Sequence, residues 1–190
     1  MKITKSWLKE KNACSSGTNW FEENFKEVDS VDLLNKLVST KEPEKLKWAN
    51  WLIVRLFTRK QKIQYAIFAA EQVLSIFEKK YPEDKRPREA IEAAHKVLEH
   101  DTQENRDAAW KARTAAAYAA YAAYAYAYAA DAADAAAYAA YAAYADDAAA
   151  YAAYAAYAAY AAAYADDAAA YKARIKILTA IINFGIKILE

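Results

Sequence analysis

Apolar residues recur at helical spacing along most of this chain. The cleanest run is Ile63, Ala66, Ile67, Ala70, Val73, Leu74 and Phe77, which puts one apolar face on a single helix. Upstream, Trp48, Trp51, Leu52 and Arg55 fall at i, i+3, i+4 and i+7, and Pro43 sits where a first helical turn needs no N–H donor. Asp29 or Ser30 is placed to cap a helix through Val31, Leu34, Leu37 and Val38. Thr18 is placed to cap one carrying Trp20, Phe21 and Phe25, after a turn signal at Ser15, Ser16 and Gly17. Pro82 and Pro87 bracket a loop, and a helix follows through Ala90, Ile91, Ala94, Val97 and Leu98. A last helix, about 171–189, is apolar on most of its circumference, with a polar stripe of Lys172, Lys176, Thr179, Asn183 and Lys187. There is no alternating strand pattern, so the expected fold is all-α: a multi-helix bundle with an Ala/Tyr-rich second half.

That second half has an alphabet of three. From Ala115 to Tyr171 the chain uses only alanine, tyrosine and six aspartates, and no glycine or proline occurs between Arg88 and Phe184. Alanine is the best helix former. Tyrosines three apart, as at Tyr118, Tyr121 and Tyr124, drift roughly 60° per step around a helix and form no single stripe. The pattern predicts a helix packed on several sides, with tyrosine knobs seated in alanine grooves. AAAYAAYAAY begins at Ala115, Ala135 and Ala148, which fits stacked helix pairs or the expansion of a simple repeat. Aspartate suits helix N-termini, so turns are expected near 131–134, 146–147 and 166–167; one rod of ~85 Å is the alternative. Residues 1–17 read as a lead, 18–100 as a helical region, and 101–190 as helices packing on it within one domain.

Charge adds an asymmetry. The formal net charge is +1; taking the six tract aspartates from the 25 acidic residues leaves 19 against 26 basic ones. A salt-bridged face or an anion-binding surface would each account for this. The aspartate-bearing tract argues against nucleic acid as a partner. Alanine supplies little insertion energy and paired aspartates oppose it, so no membrane span is expected. Cys14 is the only cysteine, and Lys2, Ile3, Thr4 and Lys5 form no apolar signal core; both fit a reducing, cytoplasmic setting.

No catalytic constellation or cofactor motif is present, and a non-enzymatic protein without cofactor is expected. His95 and His100, five apart, do not share a helix face as a metal pair would. The paired aspartates suit capping better than metal binding. The segment with chemistry is YPEDKRPREAIE, Tyr81 to Glu92. Lys85, Arg86 and Arg88 cluster on a proline-stiffened loop at a helix N-terminus, which suits phosphate or carboxylate. Tyr81 could stack on a base. Local pairing, such as Asp84 with Arg88, is the plainer reading.

The run WANWLIVRLFTRKQKIQYAIFAAEQVLSIFEKKYPEDKRPREAIEAA, Trp48 to Ala94, resembles a family of immunity proteins, alanine-rich helical proteins of bacteria and their phages. The resemblance implies a helical fold and no assigned catalytic residue. It singles out Trp48, Trp51, Arg55, Glu71, Glu78, Tyr81, Asp84, Arg86, Pro87, Arg88 and Glu92. Glu71 and Glu78, two turns apart on one helix face, could order the arginines or line the same pocket. The ligand-binding set expected is therefore Lys85, Arg86, Arg88 and Tyr81 with Glu71, Arg55 and Trp51. The function expected is immunity or counter-defence by binding. The partner would be a small anionic nucleotide-like signal or a toxin or defence effector protein. A self-assembling helical scaffold is the structural alternative, and a homo-oligomer is expected.

Overall fold

The computed structural model describes residues 1–123, 127–142 and 167–190. A two-stranded antiparallel ribbon opens it: β1 (Lys2–Thr4) pairs with β2 (Glu27–Asp29), Ile3 opposite Val28. Strands of three residues are too short to show an alternating pattern, which is why the sequence reading missed them. Between them lie α1 (Lys5–Glu10) and α2 (Ser15–Asn24). The turn expected at Ser15, Ser16 and Gly17 is therefore the first turn of a helix, with Cys14 at its N-cap. Thr18 is not a cap; its hydroxyl donates back to the Cys14 carbonyl at 3.0 Å. Gly17 lies against Trp48, where an added Cβ would be in ordinary contact with the indole at 3.5 Å.

The next three helices start where capping chemistry puts them. Asp29 accepts the Val31 N–H at 2.9 Å and caps α3 (Ser30–Ser39). Pro43 opens α4 (Pro43–Leu56), and Thr58 with Gln61 forms a capping box on α5 (Arg59–Lys80). Then come α6 (Arg86–Glu99), α7 (Gln103–Ala122), α8 (Ala127–Tyr141) and α9 (Asp167–Leu189). The fold is all-α apart from the ribbon.

Helices α5, α6, α7 and α8 pack as one group, and α9 joins that group to α3 and α4 through α5. The junction is fully buried. Tyr65 of α5 donates its hydroxyl to Asn50 of α4 at 2.8 Å, and both side chains are inaccessible. Gly185 of α9 lies against them: a Cβ there would be 2.6 Å from Ile53 Cδ1 and 2.7 Å from the Tyr65 ring. Phe68 and Phe184 stack at 4.1 Å nearby, and Gln61 donates to the Ile188 carbonyl at the end of α9. The polar stripe of α9 is exposed at Lys172, Lys176, Asn183 and Lys187 and half-buried at Thr179.

The Ala/Tyr tract is not a single rod, since α7 ends at Ala122 and α8 packs against it. The break avoids the aspartates: Asp131 and Asp134 lie inside α8. Their neighbours Ala132, Ala133, Ala135 and Ala136 are fully buried, so packing outweighs the capping preference of aspartate. As expected, α8 is packed on several sides, by α5, α6 and α7. Tyr138 and Tyr141 of α8 pack half-buried against the core, whereas Tyr118 and Tyr121 point to solvent. The expected turn at 146–147 and the repeat from Ala148 lie outside the described residues; α9 begins at Asp167. Among the described residues no helix is long and apolar enough to cross a membrane.

Candidate functional site

The residues expected to form one site fall into two places. Trp51 and Arg55 are on α4, beside the Asn50–Tyr65 hydrogen bond, whereas Tyr81 lies sixteen residues beyond Tyr65. At 1.5 Å per residue that is ~24 Å along α5.

At the far end, Tyr81 caps α5 and tilts against Phe77, with ring centroids 5.2 Å apart. Lys85 Nζ donates to the Pro82 carbonyl at 2.5 Å. Arg86 forks onto Asp84 through Nε at 2.9 Å and a terminal nitrogen at 2.6 Å. Arg88 forks onto Glu78 at 2.6 and 2.7 Å. Asp84 therefore pairs with Arg86 rather than Arg88, because the Glu78 carboxylate reaches Arg88 from α5. The Arg88 hydrogen bonds hold Glu78 below its ordinary pKa, and those of Arg86 do the same for Asp84. Glu71 does not order an arginine; it meets His95 Nε2 at 3.1 Å across α5 and α6. An incoming phosphate would have to displace two bidentate carboxylates, so the basic loop is a self-neutralised connection.

At the near end, the Arg55 guanidinium lies 4.1 Å over the Trp51 ring and donates to the Trp51 carbonyl at 3.1 Å. Trp51 meets Trp7 edge-on, 6.3 Å between centroids. Its helix forms one wall of a cavity of about 690 Å³ bounded also by the end of α1, α2 and α3. Trp20, Trp48, Trp51 and Phe21 line it with Leu8, Leu33, Leu37 and Leu52. Asn12, Cys14, Glu44 and Lys47 supply its polar atoms. Trp20 and Trp48 lie 5.8 Å apart, and the Lys45 ammonium sits 4.1 Å over Trp48 and 5.0 Å over Trp20. Cavities of this size, mainly apolar with a few polar groups, are the usual shape of a small-ligand site. Trp51 is thus the one residue of the expected set that lines the cavity. Cys14 and Trp20 come from α2 and Lys47 from α4, and sequence reasoning did not place them in one site. Among the described residues no three His, Cys, Asp or Glu side chains converge as a metal site would need.

No family model matches the chain. Neither a curated protein nor a solved structure matches it.

Proposed function

We propose that the protein acts by binding, sequestering a small anionic nucleotide-like signal in immunity or counter-defence, with the base seated in the tryptophan-lined cavity. One observation carries this reading: Trp20, Trp48 and Trp51 converge on a single recess large enough for such a ligand. Stacking on an aromatic side chain contributes roughly 1–3 kcal/mol per base. Lys47 in the lining and Lys45 beside Trp48 outnumber Glu44 on the same wall and bring positive charge for phosphate. The role in immunity rests on the resemblance of the Trp48–Ala94 run. Within that run, the stacking surface on α4 now carries the reading in place of the arginine loop.

Native mass spectrometry of the protein purified from cells, followed by denaturing release of whatever is bound, tests this. A stoichiometric nucleotide, lost in Trp48→Phe, is the expected result. An empty protein that also fails to take up nucleotides on titration overturns the small-ligand reading.

A second reading, neutralisation of a protein effector, is favoured by α7. It exposes Trp110, Tyr118 and Tyr121, and the Arg113 guanidinium stacks on Trp110 and Tyr141. Tryptophan, tyrosine and arginine dominate the energetics of protein interfaces. A partner whose binding is lost in Trp110→Ala/Tyr121→Ala, and kept in Trp48→Phe, would assign the function to that face.

A further inference from the structure

A second recess, of about 450 Å³, opens where the turn between α3 and α4 meets α9. It is lined by Lys41, Tyr171, Lys172, Ile175, Lys176 and Thr179. We infer that this recess binds a phosphate-bearing small anion, at a site separate from the tryptophan-lined cavity.

Three observations carry the inference. The first is charge without compensation. Several other cations are paired, as Lys2 is with Glu27, Lys5 with Glu22, Arg86 with Asp84, Arg88 with Glu78 and Arg106 with Asp101. Lys41, Lys172 and Lys176 make no ion pair among the described residues, although the chain carries nearly equal numbers of both signs. The second is placement. Lys172 and Lys176 are four residues apart on one face of α9, an arrangement of like charges that opposes helix formation unless an anion lies between them. Lys41 faces them from a backbone in the left-handed region, φ 55°, which lysine rarely adopts outside a constrained turn. The third is Thr179. Its hydroxyl is buried yet has no hydrogen-bond partner among the described residues. A helical threonine ordinarily bonds back to the carbonyl four residues earlier, and buried polar groups are nearly always satisfied. An anion oxygen entering between the lysines would give this hydroxyl an acceptor once the side chains that cover it move aside. Tyr171 and Ile175 complete the wall with apolar surface.

Phosphate fits this arrangement better than carboxylate. Three ammonium groups and one hydroxyl donor match several oxygens carrying more than one charge, and lysine serves phosphate as a point charge without the planar geometry that arginine gives carboxylates.

Calorimetric titration with inorganic tripolyphosphate tests the site, with ionic strength matched by potassium chloride. The wild-type chain is expected to bind saturably, more weakly as salt rises. Lys172→Gln/Lys176→Gln, at exposed positions that leave the core intact, should weaken binding at least tenfold. Thr179→Val should weaken it severalfold without lowering the melting temperature, since it deletes an unpaired buried hydroxyl. Trp48→Phe should bind as wild type. Absence of saturable binding by the wild type, or unchanged affinity in the double lysine variant, overturns the inference. Loss of binding in Trp48→Phe refutes the separateness of the two sites.

Discussion

Around Tyr65 the core is made of bulky side chains: Ile53, Leu46, Leu178, Ile181 and Ile182 are all fully buried. In α7 and α8 every buried side chain that is described is an alanine. The two regions bury their helices by different means. Each large aliphatic side chain contributes about 1.5–3 kcal/mol on full burial. An alanine contributes far less, and a helix pair built from it depends on high helix propensity and close backbone approach. The consequence for function is spatial. Large side chains from short, differently oriented helices leave a shaped cavity between α1, α2, α3 and α4. Alanine helices lie flush; Tyr118 and Tyr121 are displaced to the surface, while Tyr138 and Tyr141 pack half-buried against the core.

Substitutions can break this contrast. The largest effect is expected from Leu178→Ala, which empties a fully buried position and should cost about 2–5 kcal/mol in denaturant unfolding. Ala136→Leu makes the opposite change in the alanine region, forcing methylenes into a fully buried contact, and should cost about 1–3 kcal/mol. If Ala136→Leu were neutral, α8 would not be closely packed. Gly185→Ala falls in the same range, because the new methyl meets the immobile Tyr65 ring at 2.7 Å.

Titration sharpens the comparison, since the carboxylates of the two regions respond in opposite senses. Burial raises the pKa of Asp131; burial raises that of Asp134 as well, helped by the Asp131 charge. A folded state that binds the proton more tightly than the unfolded chain loses stability as pH rises from the ordinary aspartate value through the raised one. Asp134→Asn should therefore melt higher than wild type at pH 7, and the difference should vanish near pH 3. Glu78 and Asp84, lowered by their arginines, stabilise the fold above their ordinary values and stop doing so as pH falls through the lowered ones. Glu78→Gln should then lower stability at pH 7 by less than about 1 kcal/mol, because Arg88 is largely solvated. That is the smallest of these effects.

Local chemistry was legible in the chain where one residue suffices to set it. Asp29 and Pro43 mark the starts of α3 and α4, and the 63–77 periodicity marks α5. What the chain could not show arises between elements. Cys14, rather than Thr18, is the N-cap of α2, and the Thr18 hydroxyl turns back to the Cys14 carbonyl. α7 ends at Ala122 and α8 begins at Ala127, and Asp131 and Asp134, which looked like punctuation, are inside α8. Local pairing of the basic loop was the plainer reading, but not its partners: Arg88 forks onto Glu78 of α5, and Asp84 is taken by Arg86. Trp20 and Trp48 read as core periodicity, and only the folded arrangement of α1, α2, α3 and α4 turns them into a cavity wall with Trp51.

The division of labour between a cavity-bearing half and an alanine scaffold is tested most directly by tryptophan fluorescence on titration with mononucleotides, comparing wild type, Trp48→Phe and Arg86→Ala/Arg88→Ala. Saturable quenching in the wild type and the arginine variant, and its loss in Trp48→Phe, is the result predicted. Quenching that survives in Trp48→Phe and disappears in the arginine variant would contradict the account and return the site to the loop between α5 and α6.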